Sequence, residues 1–257
     1  MIVVLINNVT SAFAVLQSAY VLSQSLKKRF GVILSQDNAK TIEVEPQTEL
    51  QHLLSGMNIC ADHTSVRINA FDELDDMCHS LEVSFLYIQL TNTSFSNVKS
   101  NLKACRELRI PYLFHKEGFP VIHMEKVLIP VNFLIEEIEK AQFGAAFGRF
   151  CGSSVTLLQA NDYGSKAATN VEKIRSVFDK FDFDYQVLMG EKDSFKIEFD
   201  ALVWAEMNKC GIVIASASRE YGLDDVVFGP KELHLIRKTK VPLMLINPRG
   251  DLYTLCD

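Results

Sequence analysis

Two glycines near the carboxyl end of the chain stand where a phosphate group could bind. The segment ASASREYGLDDVVFGPKE, residues 215–232, follows an apolar run and contains Gly222 and Gly229. Glycines let the backbone approach a ligand closely and adopt positive φ, so that consecutive N–H groups can converge on phosphate oxygens. The segment is therefore either a nucleotide-binding loop or the remnant of one.

No other segment predicts catalysis or metal binding. The stretch GSKAATN, residues 164–170, lacks the G-x4-G-K-[ST] spacing of a phosphate loop and predicts the start of a helix. Cys60, His63, Cys78 and His79 do not have the spacing of a zinc site. There is no G-x-S-x-G elbow for a nucleophile, and the six histidines are dispersed. We predict no catalytic residues and no bound metal.

The elements that position the glycine loop follow from a series of short apolar runs. Each run is continuous rather than alternating, which indicates strands buried on both faces, and helix-length stretches between runs indicate right-handed crossovers. The sequence therefore predicts an α/β protein with parallel sheets, with five strands in each half. The runs are residues 2–6, 32–34, 66–71, 83–90 and 110–115, then 126–131, 154–160, 185–189, 211–216 and 241–247.

The two halves begin and end alike, which indicates an internal duplication. Each first strand precedes an amphipathic stretch, predicted to end at Gly31 in the first half and at Gly152 in the second. Each half closes on a basic helix end and a strand, RELRIPYLFH and RKTKVPLMLIN. Gly118 and Pro120 interrupt the pattern between the halves. We expect two tandem Rossmann-like domains, residues 1–120 and 121–257.

Composition narrows the classes of function. A net charge of −6 without a basic stripe disfavours nucleic-acid binding. No apolar stretch reaches the roughly 18 residues of a membrane span, and Met1 is followed by no signal-peptide pattern. The six cysteines stand singly, mostly beside apolar residues, as expected of small buried hydrophobes in a reducing compartment. These features favour a cytoplasmic protein that contacts neither membrane nor nucleic acid.

The order of segments in the second half resembles the universal stress protein family. VLIPVN, VTLLQA, GIVIAS, a loop with spaced glycines and KTKVPLMLIN follow one another as in that family, over residues 126–250. Residues 1–118 are similar in topology and terminal pattern, so the whole chain resembles a tandem member. The resemblance implies domains like those of the adenine nucleotide alpha hydrolases, and ATP bound by an acidic residue after strand one and a loop G-x2-G-x9-G-[ST] after strand four.

The loop departs from this pattern at most positions that would touch a nucleotide. Gly229 matches the last glycine, but Arg219 and Ser216 stand where the second and first glycines belong. Pro230 replaces the hydroxyl residue and has no N–H to donate. Gly222 matches a further glycine within the loop, and we interpret Gly222 and Gly229 as retained for the turn. Arg219 could still reach a phosphate through its guanidinium group.

The acidic residue after strand one is also replaced. Val131 ends the strand, and Asn132 stands where nucleotide binders of the family carry aspartate. In the first half the equivalent residue is Asn7 or Asn8, and residues 91–108 contain no glycine at all. If any nucleotide binds, it binds in the second half, at Val131, Asn132 and the loop.

Two functions are compatible with the sequence. The first is a stress-response protein without catalysis, cofactor or tight ATP binding, which acts by contacting an unknown protein partner. The second is a nucleotide-responsive sensor or weak ATPase that uses an altered pocket for ATP or another adenine nucleotide. We further expect the two halves to pair with each other through their last strands, because unpaired apolar edges invite association. A homodimer is left open.

Overall fold

The computed structural model describes residues 1–36 and 44–249. The chain divides into two compact units, Met1–Ile122 and His123–Asp257. The division lies two residues beyond the boundary expected from the sequence. Each unit is an alternation of strands and helices.

The first unit contains five strands and four helices among the described residues. They are β1 (Ile2–Ile6), α1 (Phe13–Ser25), β2 (Phe30–Gln36), α2 (Val44–Gly56), β3 (His63–Ile68), α3 (Leu74–Ser80), β4 (Phe85–Leu90), α4 (Phe95–Ala104) and β5 (Tyr112–Lys116). The strands are parallel and lie in the order β3-β2-β1-β4-β5.

The second unit repeats this plan with a short 3₁₀ helix, Ile135–Glu139, after its first strand. Its other elements are β6 (Lys126–Val131), α5 (Lys140–Cys151), β7 (Ser154–Gln159), α6 (Lys166–Phe178), β8 (Tyr185–Met189), α7 (Ile197–Met207), β9 (Ile212–Ser216), α8 (Leu223–Phe228), α9 (Lys231–Lys238) and β10 (Leu243–Ile246). Its strands are also parallel, in the order β8-β7-β6-β9-β10.

The central strands of both sheets are covered on both faces. Every residue of β1, β4 and β9 is buried, and only Lys126 of β6 is exposed. This burial explains why the strands appear in the sequence as unbroken apolar runs. The predicted fold class, two five-stranded parallel α/β domains, is confirmed.

The predicted end of the first helix at Gly31 is wrong. The helix α1 ends at Ser25, Lys27 adopts a φ of 52° as the chain reverses, and Gly31 is the second residue of β2. Phe30 has the spacing of the helix but is buried as a strand residue, which is why the helical pattern extends too far. In the second unit Gly152 does end α5, with a φ of 66° in the left-handed region that favours glycine.

Three cysteines behave as the small hydrophobes expected from the sequence. Cys78, Cys105 and Cys210 are buried, whereas Cys60 is exposed and Cys256 lies outside the described residues. Burial raises the pKa of the Cys78 thiol to about 12 and that of Cys210 to about 11. These thiols stay protonated near neutral pH and are poor nucleophiles.

Membrane-spanning helices and clustered metal ligands are both missing from the described part of the chain. Among residues 1–36 and 44–249, no helix combines the length and apolar character needed to cross a membrane. Within the same ranges, no three His, Cys, Asp or Glu side chains are grouped so that they could hold a metal ion.

Candidate functional site

A cavity in the second unit lies at the carboxyl ends of β6 and β9. The connections from these two neighbouring strands lead in opposite directions along the sheet, and such a switch point is where open α/β sheets usually bind ligands. The cavity has a volume of about 840 Å³, within the usual range for small-molecule sites. Its walls are residues 133–136 after β6, four residues of α6, loop residues 217–220 and Lys231.

The residues at the end of β6 form hydrogen bonds that hold the turn after the strand. Val131 is buried in the strand, and the buried Asn132 side chain accepts a hydrogen bond from the Leu134 N–H at 2.8 Å through Oδ1. Asn170 of α6 holds the same turn, because its Nδ2 donates to the carbonyl oxygens of Asn132 and Leu134 at 3.0 and 2.7 Å. Neither Val131 nor Asn132 lines the cavity.

A buried charge cluster underlies this turn, and no pattern in the sequence indicates it. The Glu137 carboxylate accepts from the Lys140 ammonium at 2.8 Å, from the Asn132 N–H at 2.9 Å and from the Ser216 hydroxyl at 2.8 Å. Lys140 also donates to the carbonyl oxygen of Pro130 at 2.7 Å. Both charged side chains are wholly buried. Ser216, in the place of the first motif glycine, therefore binds Glu137 rather than facing the cavity.

The loop after β9 is closed by a second buried carboxylate. Glu232 Oε2 accepts hydrogen bonds from the Ser218 N–H at 3.3 Å and the Ser218 hydroxyl at 2.9 Å, and its Oε1 accepts from the Tyr221 hydroxyl at 2.9 Å. Glu232 is fully buried in the first turn of α9, where the helix dipole favours negative charge. The carboxylate thus takes up donors that an anion-binding loop would offer to a phosphate.

The two retained glycines have different roles. Gly229 has a φ of 82° and therefore needs glycine at the junction between α8 and α9, as predicted. Gly222 has a φ of −76°, which any residue can adopt, so the expectation that the turn requires glycine there is wrong. The Gly222 N–H donates to Asp225 Oδ2 at 2.9 Å. Pro230 precedes the first residue of α9 as its cap, one position before the predicted first turn.

Cationic side chains lie on two walls of the cavity. Arg219 lies on the loop wall, and Lys166 and Lys173 lie on the α6 wall, so three cations line the space. Arg219 is exposed, as its predicted reach toward an anion requires. It has a partner of its own within the protein.

A fourth cation, Lys231, is held in an ion pair. Its ammonium lies 2.8 Å from Glu198 Oε2 and 2.9 Å from Oε1. Burial alone would lower the pKa of Lys231, but the carboxylates of Glu198, Glu137 and Glu232 outweigh it and raise this pKa. Burial also raises the pKa of Glu198, against the opposing effect of Lys231 and Lys140. The pair fixes α9 against α7 behind the loop.

In each unit the carboxyl ends of the first and fourth strands form a corner, and in the first unit an uncharged side chain closes this corner. The buried Gln89, at the end of β4, accepts hydrogen bonds through Oε1 from the N–H groups of both Asn7 and Asn8 at 2.9 Å. Its Nε2 donates to the Asn8 carbonyl oxygen at 2.9 Å and to the Ser11 hydroxyl at 3.1 Å. The backbone amides after β1 are thereby occupied, so Asn7 and Asn8 form a turn held by Gln89.

Comparison with known proteins identifies the fold. No protein-family model and no curated protein sequence matches the chain. Its structure is similar to a universal stress protein from Archaeoglobus fulgidus DSM 4304, with a TM-score of 0.70 and 13% identity over 97% of both chains.

Two other solved structures are also similar. One is a functionally unknown protein from Pseudomonas aeruginosa PAO1, with a TM-score of 0.62 and 12% identity over 99% of this chain and 94% of that one. The other is the cytoplasmic domain of a prokaryotic cation chloride cotransporter, with a TM-score of 0.58 and 11% identity over 95% and 93%. The resemblance found in the sequence is thus confirmed in the fold, while identities this low leave function to be argued from the site.

Proposed function

We propose that this protein is a cytoplasmic stress-response protein with the universal stress protein fold, without tight ATP binding or catalysis, and that it acts by contacting another protein. The observation that carries the proposal is the occupation of the loop after β9 by Glu232. A phosphate entering this loop would have to displace a carboxylate that already accepts three hydrogen bonds. It would also bring like charge close to that buried carboxylate.

The substitutions in the motif act in the same direction. Pro230 has no N–H to donate, Ser216 is bonded to Glu137, and Asn132 supports its own turn. Each hydrogen bond that a nucleotide site lacks weakens binding by about 1–3 kcal/mol. Three missing hydrogen bonds are enough to move a micromolar site, about −8 kcal/mol, to millimolar affinity or weaker, about −4 kcal/mol.

Titration calorimetry of the full chain with ATP and magnesium tests the proposal. We expect a dissociation constant above about 1 mM, equivalent to −4.1 kcal/mol. A dissociation constant below about 10 μM that is lost in Gly229→Val would refute it. A gain-of-function control is the combined variant Arg219→Gly, Pro230→Ser and Glu232→Ser, which returns motif residues to the loop and removes the occupying carboxylate. We expect this variant to bind ATP more tightly than the wild type.

The fold is compatible with action through protein contacts. One structurally similar protein is the cytoplasmic domain of a cotransporter, so this fold is also found joined to another functional unit. For the present chain the partner has to be found by experiment. Crosslinking in cells followed by purification under stress and control conditions should recover a partner that is enriched under stress, with a chain of unrelated fold as the control bait.

A nucleotide-responsive sensor or weak ATPase is the second candidate. The observation that favours it is the cavity of about 840 Å³ with Lys166, Lys173 and Arg219 on its walls. Side-chain cations could hold phosphates without the loop amides. The same calorimetric titration separates the candidates, and release of phosphate from ATP above the level of a Lys166→Gln, Lys173→Gln variant would favour the ATPase.

A further inference from the structure

One carboxylate at the cavity has no partner within the described part of the protein. Glu136 lies on the 3₁₀ helix after β6, lines the cavity and is only 6% exposed. Across residues 1–36 and 44–249, its side chain forms neither a hydrogen bond nor an ion pair. The neighbouring buried carboxylates of Glu137, Glu198 and Glu232 all have donors within 2.9 Å.

The Glu136 side chain is mostly buried, but its carboxylate oxygens are not among the fully buried polar atoms without a partner, so they face the solvent of the cavity, where a ligand can replace water. A cavity-lining carboxylate that no protein donor occupies is available to a ligand that donates to it. Glu136 is an acceptor only, so the matching group must donate hydrogen bonds and is best positively charged. A guanidinium or ammonium group fits this requirement, and a phosphate does not.

Helix α6 presents positive charge to the cavity, which favours an anionic group on the ligand. Lys166 and Lys173 both line the cavity, are exposed, and have no hydrogen-bonding or ion-pair partner among the residues that the structure describes. They are seven residues apart, which corresponds to about 10 Å along a helix and places them on one face. This row of positive charge suits a carboxylate or phosphate group at the mouth of the cavity.

Apolar side chains adjoin Glu136. Leu134 and Ile135 are 38% and 39% exposed and line the cavity together with Phe133. An exposed apolar wall beside a buried carboxylate suits the methylene chain of a ligand whose polar groups are at its ends.

We propose that this cavity binds a small zwitterionic molecule, with a guanidinium or amino group on Glu136 and a carboxylate or phosphate group facing Lys166 and Lys173. Such a ligand needs none of the loop amides, so it can bind while the Ser218 N–H donates to Glu232. The proposal goes beyond the proposed function and does not depend on it, because a protein that fails to bind ATP could bind this ligand or not.

The probe is 4-guanidinobutyrate, and agmatine and butyrate are analogues that each lack the zwitterionic pair. Calorimetry or ligand-detected NMR with the full chain should show saturable binding of 4-guanidinobutyrate, about tenfold tighter than agmatine and with no binding of butyrate. Lys166→Gln combined with Lys173→Gln should abolish the preference over agmatine. Absence of saturable binding at 10 mM probe, or equal binding of all three compounds, would overturn the proposal.

Variants of Glu136 provide a second test of the ligand proposal. Glu136→Gln should weaken 4-guanidinobutyrate binding at least tenfold, whereas Glu172→Gln, at an exposed carboxylate of α6 outside the cavity, should leave it unchanged. Without ligand, Glu136→Gln should leave the urea midpoint unchanged, because the carboxylate has no donor to lose and its oxygens reach the solvent of the cavity. A Glu136→Gln variant that is less stable than the wild type would show that the carboxylate has an internal partner and refute the ligand assignment.

Discussion

Replacing Glu232 by glutamine should destabilise the second unit by about 2 kcal/mol. Hydrogen bonds to a charged group contribute about 1.5–3 kcal/mol each, and neutral ones about half as much. Glutamine keeps the shape and one acceptor oxygen, so three weakened bonds amount to a loss of about 3 kcal/mol. The lower desolvation cost of a neutral amide offsets about 1 kcal/mol of this loss.

Urea unfolding followed by tryptophan fluorescence measures this change in the right part of the chain. Trp204 is the protein's one tryptophan and lies on α7, in the second unit, where it is half-buried. Its emission therefore reports the unfolding of that unit, which matters because a chain of two units does not have to unfold in one step. Glu191→Gln, at an exposed carboxylate, is the matched control and should change the free energy of unfolding by less than about 0.5 kcal/mol.

A double-mutant cycle tests whether the effect arises at the loop. Tyr221→Phe removes one of the three donors to Glu232 and should cost about 1 kcal/mol in the wild type and less in Glu232→Gln. Tyr163→Phe, on an exposed ring, is the control. Two results would contradict the inference that Glu232 occupies the donors of the loop. One is a Glu232→Gln variant whose stability stays within about 0.5 kcal/mol of the wild type, and the other is strict additivity of the two changes.

Two further outcomes are expected in the second unit. The raised pKa of Lys231 means that its ion pair stabilises fully below the ordinary lysine value, about 10.4, and that this stabilisation is lost as the pH rises through the folded-state value. In urea titrations, the stability difference between the wild type and Lys231→Met should hold between about pH 8 and 10 and shrink above it; a difference unchanged at higher pH would contradict this. Gly148→Ala should cost about 1–3 kcal/mol, because the added Cβ would collide with the ring of Phe183, whereas Gly164→Ala meets nothing within 4 Å. Thermal unfolding compares the two, and equal midpoints would show that the packing at Gly148 yields easily.

The sheets could be predicted from the sequence because their signal is local. A strand buried on both faces must be apolar throughout, and the sequence locates residues 2–6 and 126–131 to the residue. The φ values of the two loop glycines could not be predicted from the sequence. Gly222 and Gly229 look alike in sequence, yet only Gly229 adopts positive φ, which depends on how α8 and α9 meet.

The polar contacts of the site could not be predicted in this way. The charge of Glu232 was visible at the start of a helix, but its donors lie 11 and 14 residues away, across the loop. Ser216 and Glu137 are separated by 79 residues. In sequence, Glu137 and Lys140 form an i,i+3 pair of the kind usually found on a solvated helix face. Their complete burial depends on the packing around β6.

The two halves of the chain close the same corner of the same fold with different chemistry. A glutamine amide, which donates and accepts without ionising, closes it in the first unit, and two carboxylates with a buried lysine close it in the second. The desolvation penalty of ionic groups decreases on heating, whereas that of a neutral amide changes less. Warming should therefore favour the second corner relative to the first, so that the two halves of one chain differ in how this part of the fold responds to temperature.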